Sequence, residues 1–324
     1  MFAAIQGALI TFLSFFMMLY GMVLGVNFND TQTAYLKNVN SVDLYENTID
    51  TAIPQTEIYN IISEHFTSAL PEGKTVKKAI VIGYDGCRAD SLTLLDDSHE
   101  SAFQTLTAEG GHTYLSYCGG KNYPEFNTQA TSTAPGWCSM LCGCWADEHG
   151  ITDNDIIKSV DCPTLLRSLV ENGTINGSAF CVSWSGHFSC DDATYLAEKN
   201  YCEENGLNVQ FLKADDDNGT YANTMNCVTA ADGPDFIFSI FEHCDHAGHS
   251  SGFCIRNEAY KNEFYANDAE GAEIISAIKA RATYDTEDWL IILTSDHGGY
   301  NTGHGSFTAQ ERITFITVNK DLNK

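Results

Sequence analysis

The sequence predicts an α/β fold, namely a three-layer sandwich whose central, mostly parallel sheet is flanked by helices. Short apolar runs typical of buried strands recur along the chain: KAIVIGYDG, GSAFCVSW (177–184), DFIFSIFE (235–242), DWLIILTSD (288–296) and RITFITVN (312–319). Segments with helical spacing of apolar residues separate them, among them PTLLRSLVENG and NEAYKNEFYANDAEGAEIISAIKARA. Strands that alternate with helices are characteristic of a parallel sheet covered on both faces.

The composition sets limits on the class of protein. The chain has 324 residues, of which 44% are hydrophobic, enough for one large domain with a sizeable core. Its 43 acidic and 17 basic side chains give a formal net charge of -26. Such an acidic surface repels nucleic-acid backbones, so the chain is not expected to coat DNA or RNA, and no obligate protein partner is evident.

The chain divides into three predicted parts. Residues 1–27 are uncharged and apolar over a length that can span a bilayer, so they are predicted to be a signal peptide or a membrane anchor. Residues 28–74 form a lead-in segment, with a helix expected in TEIYNIISEHFTSAL, and residues 75–324 form the catalytic domain. Acidic residues follow the apolar segment, which places the domain outside the cytoplasm, secreted or membrane-anchored. Twelve cysteines in an exported chain favour some disulfides.

Carboxylates and imidazoles follow three of the apolar runs. In open α/β sheets, ligands bind beyond the carboxyl ends of the strands, so these side chains are expected to meet. Aspartate and histidine together suit zinc above other divalent metals. The candidate metal ligands are Asp85, Asp245, His249, Asp296, His297 and His304.

A candidate nucleophile lies in the stretch TSTAPGWCSMLCGCWADEHGITDN, residues 131–154. A hydroxyl before Ala-Pro and helix-like residues can stand at a helix N-terminus, where free N–H groups favour an anion. Considered alone, the same pattern fits an ordinary helix N-cap.

Together these strings resemble the alkaline phosphatase superfamily, and within it they are most similar to the type I phosphodiesterase / nucleotide pyrophosphatase family. The resemblance runs from about Lys77 to the end of the chain. The family's Thr-x-Pro nucleophile matches Thr133, and its later Gly, His-Gly-Ile and Asn match Gly143, His149-Gly150-Ile151 and Asn154. Its metal-ligand strings match the six carboxylate and imidazole residues in the right order, with Arg88 completing the first string.

The resemblance implies two Zn²⁺ ions and a covalent mechanism. One ion is expected at Asp245, His249 and His304. The other is expected at Asp85, Asp296, His297 and the oxygen of Thr133. Zinc coordination turns the Thr133 hydroxyl into a nucleophile, which attacks phosphorus and forms a phosphothreonine. Asn154, helped by the Ala134 backbone N–H, is expected to contact a phosphoryl oxygen.

The expected substrate is a small phosphoester, with a nucleotide as one option. A diester or pyrophosphate bond is favoured, because the predicted phosphoryl ligand is the neutral Asn154 and the chain has only five arginines. A phosphomonoesterase or phosphonate hydrolase is the alternative, and a non-catalytic, zinc-stabilised surface-binding protein is a second. Sulfatases share the fold, but their C/S-x-P-x-R string has no counterpart here.

Three features concern substrate recognition. Gly136 stands where the family usually has Asn, and the segment between His297 and His304 is short. Trp137, Tyr123 and Tyr300 are the candidate walls of an aromatic slot for a nucleobase.

Overall fold

The computed structural model describes residues 52–96, 98–120, 128–154 and 159–322. The predicted signal peptide or anchor and most of the lead-in segment lie outside these ranges. Within them, no helix combines the length and the apolar character that crossing a bilayer requires.

Among the described residues, eight strands form one sheet. They are β1 (Ile53–Pro54), β2 (Val76–Tyr84), β3 (His112–Tyr117), β4 (Ser178–Val182), β5 (Val209–Lys213), β6 (Phe236–Phe241), β7 (Glu287–Thr294) and β8 (Ile313–Val318). Their order across the sheet is β1-β3-β8-β7-β2-β6-β4-β5. Only β8 runs antiparallel to its neighbours, β3 and β7, so the prediction of a mostly parallel sheet is confirmed.

Helices cover both faces of this sheet. They are α1 (Glu57–Thr67), α2 (Ala102–Ala108), α3 (Thr133–Cys142), α4 (Ala146–His149), α5 (Leu165–Glu171), α6 (Leu196–Glu204), α7 (Asp217–Thr229), α8 (His243–Ser251), α9 (Glu258–Lys279) and α10 (Ala309–Arg312). Alternate residues of β2 enter different layers: Ile80 and Ile82 pack with α2, α8 and α9, whereas Ala79 and Val81 pack with α1, α3 and α5. The three-layer sandwich is therefore confirmed.

The five apolar runs all form strands, and the helix expected in the lead-in segment is α1. Its apolar face, which includes Ile58 and Ile62, is buried in the same core as the sheet, and β1 pairs with β3. The described part of the lead-in, residues 52–74, is thus integral to the domain. The acidic string near 213–220 is a helix start, in which Asp216 caps α7 by accepting the Gly219 N–H.

All twelve cysteines lie within the described ranges, and all are free thiols. The expected disulfides are therefore not found in the structure. Cys87 and Cys244, which neighbour the proposed metal ligands, are buried thiols packed in the core.

The central strands β7, β2 and β6 are adjacent and end level with one another. Gly83 pairs with Thr294, and Tyr84 pairs with Phe241. The chain that leaves each of these strands emerges at the same edge, which brings three distant segments of the sequence together.

We expect Phe238→Ala to lower the free energy of unfolding by about 3–5 kcal/mol, because it opens a cavity in the centre of the sheet. Phe238 is fully buried on β6 and packs edge-on against Trp137 and Phe180. Urea unfolding measures the change. The matched control is Phe307→Ala, since Phe307 is 67% exposed. A loss of the same size in both variants would contradict this placement of the core.

Candidate active site

Three aspartates meet where the central strands end. Asp85 follows β2, Asp245 lies on α8 after β6, and Asp296 follows β7. Buried oxygens of two of them, Oδ1 of Asp245 and Oδ2 of Asp296, have no hydrogen-bond partner among the described residues. Buried carboxylate oxygens are normally satisfied, so these two atoms mark a position for a cation.

Burial shifts the ionisation of these carboxylates. It raises the pKa of Asp85 and of Asp296 well above the usual value, with the neighbouring carboxylates contributing in the same direction. It also raises the pKa of Asp245 to about 6. The protein itself therefore supplies too little positive charge to hold three anions here, a deficit that divalent cations can meet.

Two glycines allow the aspartates to approach one another. A Cβ on Gly86, whose φ is +66°, would lie 2.9 Å from the Cα of Asp245. A Cβ on Gly136 would lie 2.8 Å from the Cβ of Asp296. The Asn that the family usually has at position 136 would therefore displace Asp296, which gives the departure at Gly136 a steric reason.

Backbone carbonyls orient all three candidate imidazole ligands. In each ring the Nδ1 atom lies at hydrogen-bond distance from a carbonyl oxygen: His249 from Thr302 at 3.0 Å, His297 from Gly298 at 2.6 Å and His304 from Thr131 at 3.1 Å. A carbonyl only accepts, so Nδ1 carries the proton and Nε2 keeps its lone pair. This is the usual orientation of a metal-binding histidine.

The Nε2 atoms face the aspartates. Those of His249 and His304 are 3.0 Å apart, and they lie 3.4 and 3.7 Å from the carboxylate of Asp245. The Nε2 atom of His297 is 3.3 Å from Oδ2 of Asp296. Burial lowers the pKa of His304 to about 4. In the tautomer with Nδ1 protonated, the Nε2 lone pairs of the two rings face each other. A cation coordinated by both nitrogens would remove this repulsion.

The potential ligands fall into two overlapping groups. In one, atoms of Asp85, Asp296 and His297 all lie within 4.8 Å of one another; in the other, the same holds for Asp245, His297 and His304. His249 adjoins the second group. The arrangement fits two neighbouring metal ions, with the His297 ring near both positions.

Thr133 begins α3 directly beside these ligands. Its Oγ1 is 3.3 Å from Oδ1 of Asp85 and 3.5 Å from Nε2 of His297. The backbone N–H of Ala134, in the first turn, donates to Oδ1 of Asn154 at 2.8 Å. The structure therefore places the predicted hydroxyl, the predicted amide and the N-terminus of α3 around one point.

His149 supports the segment that carries Asn154. It is fully buried, its Nδ1 accepts the Ile151 N–H at 3.1 Å, and its Nε2 lies 3.0 Å from the Ser139 hydroxyl on α3. The imidazole thereby ties the Asn154 segment to α3 and touches none of the metal-ligand candidates in these hydrogen bonds.

A cavity of about 270 Å³ opens onto Thr133 and Asn154. Three further residues line it: Trp184, Glu242 and His246. The sequence did not point to Trp184 or Glu242, although both stand at the ends of apolar strand runs.

The proposed aromatic slot is not formed by Trp137. That side chain is fully buried, and its Nε1–H donates to Oδ2 of Asp85 at 2.9 Å. Tyr300 does not line the cavity, and Tyr123 lies outside the described residues. The aromatic side chain that borders the cavity is Trp184.

The fold and the site together define an α/β protein whose sheet edge carries a candidate metal centre beside a threonine hydroxyl. Residues 79–308 match the family described as type I phosphodiesterase / nucleotide pyrophosphatase, and the chain belongs to that family. The resemblance seen in the motifs is thereby confirmed. No curated protein sequence matches the chain significantly.

Solved structures of low sequence identity resemble this one in part. Murine ectonucleotide pyrophosphatase / phosphodiesterase 5 is 18% identical, with a TM-score of 0.45 over 68% of this chain and 57% of its own. Alkaline phosphatase from the Antarctic bacterium TAB5 is 15% identical, with a TM-score of 0.45 over 75% and 92% of the two chains. The periplasmic domain of phosphoethanolamine transferase EptC from Campylobacter jejuni is 15% identical, with a TM-score of 0.46 over 76% and 80%. The chain spans little more than half the length of the murine protein.

We expect Trp137→Phe to weaken divalent-metal binding by about 10–100-fold, because it removes the hydrogen bond that orients Asp85 and keeps an aromatic ring in place. Competition with a chromophoric zinc chelator measures the affinity. Trp289→Phe is the matched control, since its Nε1–H also donates to a carboxylate, that of Glu287, but at the opposite end of β7. Equal affinities of the two variants would contradict the assignment of Asp85 as a ligand.

Proposed function

We propose that this protein hydrolyses phosphodiester or pyrophosphate bonds through a phosphothreonine on Thr133, with two zinc ions as cofactors. The observation that carries the proposal is the position of the Thr133 hydroxyl. It stands at the N-terminus of α3 and within 3.5 Å of Asp85 and His297. A nucleophile, an anion-binding helix end and a metal-ligand cluster are all needed for this chemistry, and here they adjoin.

The donor set favours zinc. Three carboxylates and three imidazoles with oriented Nε2 lone pairs are ligands that zinc accepts, whereas magnesium prefers oxygen ligands and water. We assign one ion to Asp245, His249 and His304. The other ion is assigned to the remaining ligands, which are Asp85, Asp296, His297 and the Thr133 oxygen. Bound zinc would supply a lowered pKa at the Thr133 hydroxyl and positive charge near the departing oxygen.

Substrate binding replaces the hydrogen bond between the Ala134 N–H and the side chain of Asn154. In the complex, the Ala134 N–H donates to a phosphoryl oxygen of the substrate. The NH₂ group of Asn154 donates to the same phosphoryl group. These two donors stabilise charge that grows on the phosphoryl oxygens in the transition state.

The reaction then proceeds in two displacements. The Thr133 hydroxyl gives up its proton to solvent, and its oxygen forms a bond to phosphorus. The ester oxygen opposite it departs with one product and takes up a proton from solvent. A water molecule next attacks the phosphothreonine, releases the phosphoryl product and restores the Thr133 hydroxyl.

The charge of the cavity favours a diester over a monoester. No Arg or Lys occurs among the described residues that line it, and the acidic Glu242 does. A monoester carries one more negative charge than a diester and lacks a side-chain cation to pair with it here. A phosphomonoesterase or phosphonate hydrolase of the same superfamily is the second candidate.

The biological setting is part of the proposal. A small phosphoester, such as a nucleotide, is the proposed substrate. The uncharged segment 3–26 supports an extracytoplasmic catalytic domain that is secreted or membrane-anchored.

We expect Thr133→Ala to abolish turnover while the zinc content stays near that of the unaltered protein, because the six other ligands remain. Elemental analysis and a phosphodiesterase assay measure the two quantities. Thr133→Ser keeps a hydroxyl at the same place and is the control that should retain measurable turnover. Undiminished turnover of Thr133→Ala would remove Thr133 from its proposed role.

We expect kcat/KM for bis(p-nitrophenyl) phosphate to exceed that for p-nitrophenyl phosphate by at least about tenfold, a difference of about 1.4 kcal/mol in transition-state binding. Glu242→Gln removes a negative charge from the cavity and should narrow this ratio. A strong preference of the unaltered protein for the monoester would establish the second candidate instead.

A further inference from the structure

Four cysteines surround the C-terminal end of α3, far along that helix from Thr133. The Sγ atoms of Cys144 and Cys162 are 3.8 Å apart, and those of Cys138 and Cys142 are 3.9 Å apart. The Cys142 thiol also lies 3.9 Å from the carbonyl oxygen of Cys162. We call these four residues the thiol cluster.

Within the thiol cluster, Cys144 and Cys162 are best placed to react. Both are only partly buried, whereas Cys138 is fully enclosed in the core. Cys138 and Cys142 lie four residues apart on the same helix, so a bond between them would close only one helical turn. Cys144 and Cys162 are instead 18 residues apart and join two different segments.

The backbone already holds these two segments together. The Asp161 N–H donates to the His149 carbonyl at 3.0 Å, and the Val160 N–H donates to the Thr194 carbonyl at 3.0 Å. The part of the chain that follows Cys144, up to Asn154, is also tied to the start of α3, since Asn154 accepts the Ala134 N–H. Side-chain rotation is then the main movement needed to bring the sulfurs to the bonded separation of about 2.05 Å.

We propose that Cys144 and Cys162 form a disulfide that closes the segment carrying Asn154. The reaction with a disulfide oxidant such as oxidised glutathione is balanced. Two S–H bonds break, one protein S–S bond forms, and the oxidant takes up two electrons and two protons to become two thiols. The proposal uses only the thiol geometry and is independent of the proposed phosphodiesterase activity.

The raised pKa of the two thiols makes formation of this disulfide slow at neutral pH. Hydrogen bonding with Cys142 is the main cause that raises the pKa of Cys162 to about 12, and hydrogen bonding with Cys162 raises the pKa of Cys144. Only the thiolate attacks a disulfide, so the experiment equilibrates the protein at mildly alkaline pH and then quenches it with acid.

Tryptic peptide mapping tests the linkage on the full chain. Cleavage after Lys121, Lys158 and Arg167 gives peptide 122–158, which contains Cys138, Cys142 and Cys144, and peptide 159–167, which contains only Cys162. After equilibration with oxidised glutathione we expect these peptides to be joined, at a mass two hydrogen atoms below their sum. A sample treated with dithiothreitol should give them separately.

Serine variants identify the partner within peptide 122–158. The linkage should disappear in Cys144→Ser and in Cys162→Ser, and it should persist in Cys142→Ser. An unlinked pair of peptides in the oxidised unaltered protein overturns the proposal, and so does a linkage that survives in Cys144→Ser.

A thermal measurement on the unaltered protein tests the proposal without any substitution, so its result does not depend on whether the serine variants fold. Closing a loop of this length restricts the unfolded chain, so the oxidised form should melt about 5 °C or more above the reduced form. Equal melting temperatures of the two forms, despite a complete linkage in the peptide map, would show a strained bond and would overturn the proposed closure of the native segment.

Discussion

The structure depends on one electrostatic constraint: three aspartates are held close together, largely out of solvent, at the carboxyl edge of the sheet. Asp85, Asp245 and Asp296 follow adjacent parallel strands, so they are forced together by the same register that builds the core. Burial raises the pKa of all three, and no Arg or Lys is among the described residues that line the adjoining cavity. Burial therefore favours the protonated carboxyl groups, whereas bound cations would favour the ionised form that coordinates them. The candidate ligands around the aspartates are positioned for such cations.

Helix α3 shows how one element meets several of these demands. Thr133, Gly136 and Trp137 are spaced three and four residues apart and share one face of the helix. The first presents a hydroxyl to the metal ligands, the second lets Asp296 approach closely, and the third donates to Asp85. Ser139 reaches His149 from a later turn. The short string T-A-P-G-W therefore encodes the proposed nucleophile together with the packing that fixes two of the candidate ligands beside it.

The sequence predicted the parts of the fold whose signal is local and strong. The five strands found in advance are buried on both faces and read as continuous apolar runs, whereas β3 and β5 are partly exposed and β1 has two residues. Metal-ligand candidates were recognisable because carboxylates and imidazoles recur together after three of the apolar runs. Trp184 and Glu242 carry no such chemical signature, and their role beside the cavity follows only from the order of the strands. The sequence predicted that Trp137 lines a nucleobase slot, because a sequence shows that a residue is aromatic but does not show whether its side chain is buried.

The charge of the whole molecule and the charge of its site act in opposite directions on a phosphoester. The chain carries a formal charge of -26, so its surface repels an anionic substrate at long range. If the two proposed zinc ions are bound, four positive charges meet three aspartates, and the immediate site is cationic. Glu242 at the cavity wall then offsets much of that excess. A substrate with one negative charge is repelled less by the acidic surface than a substrate with two, and it needs less positive charge in the site. The absence of Arg or Lys among the described residues that line the cavity therefore supports the proposed preference for a diester.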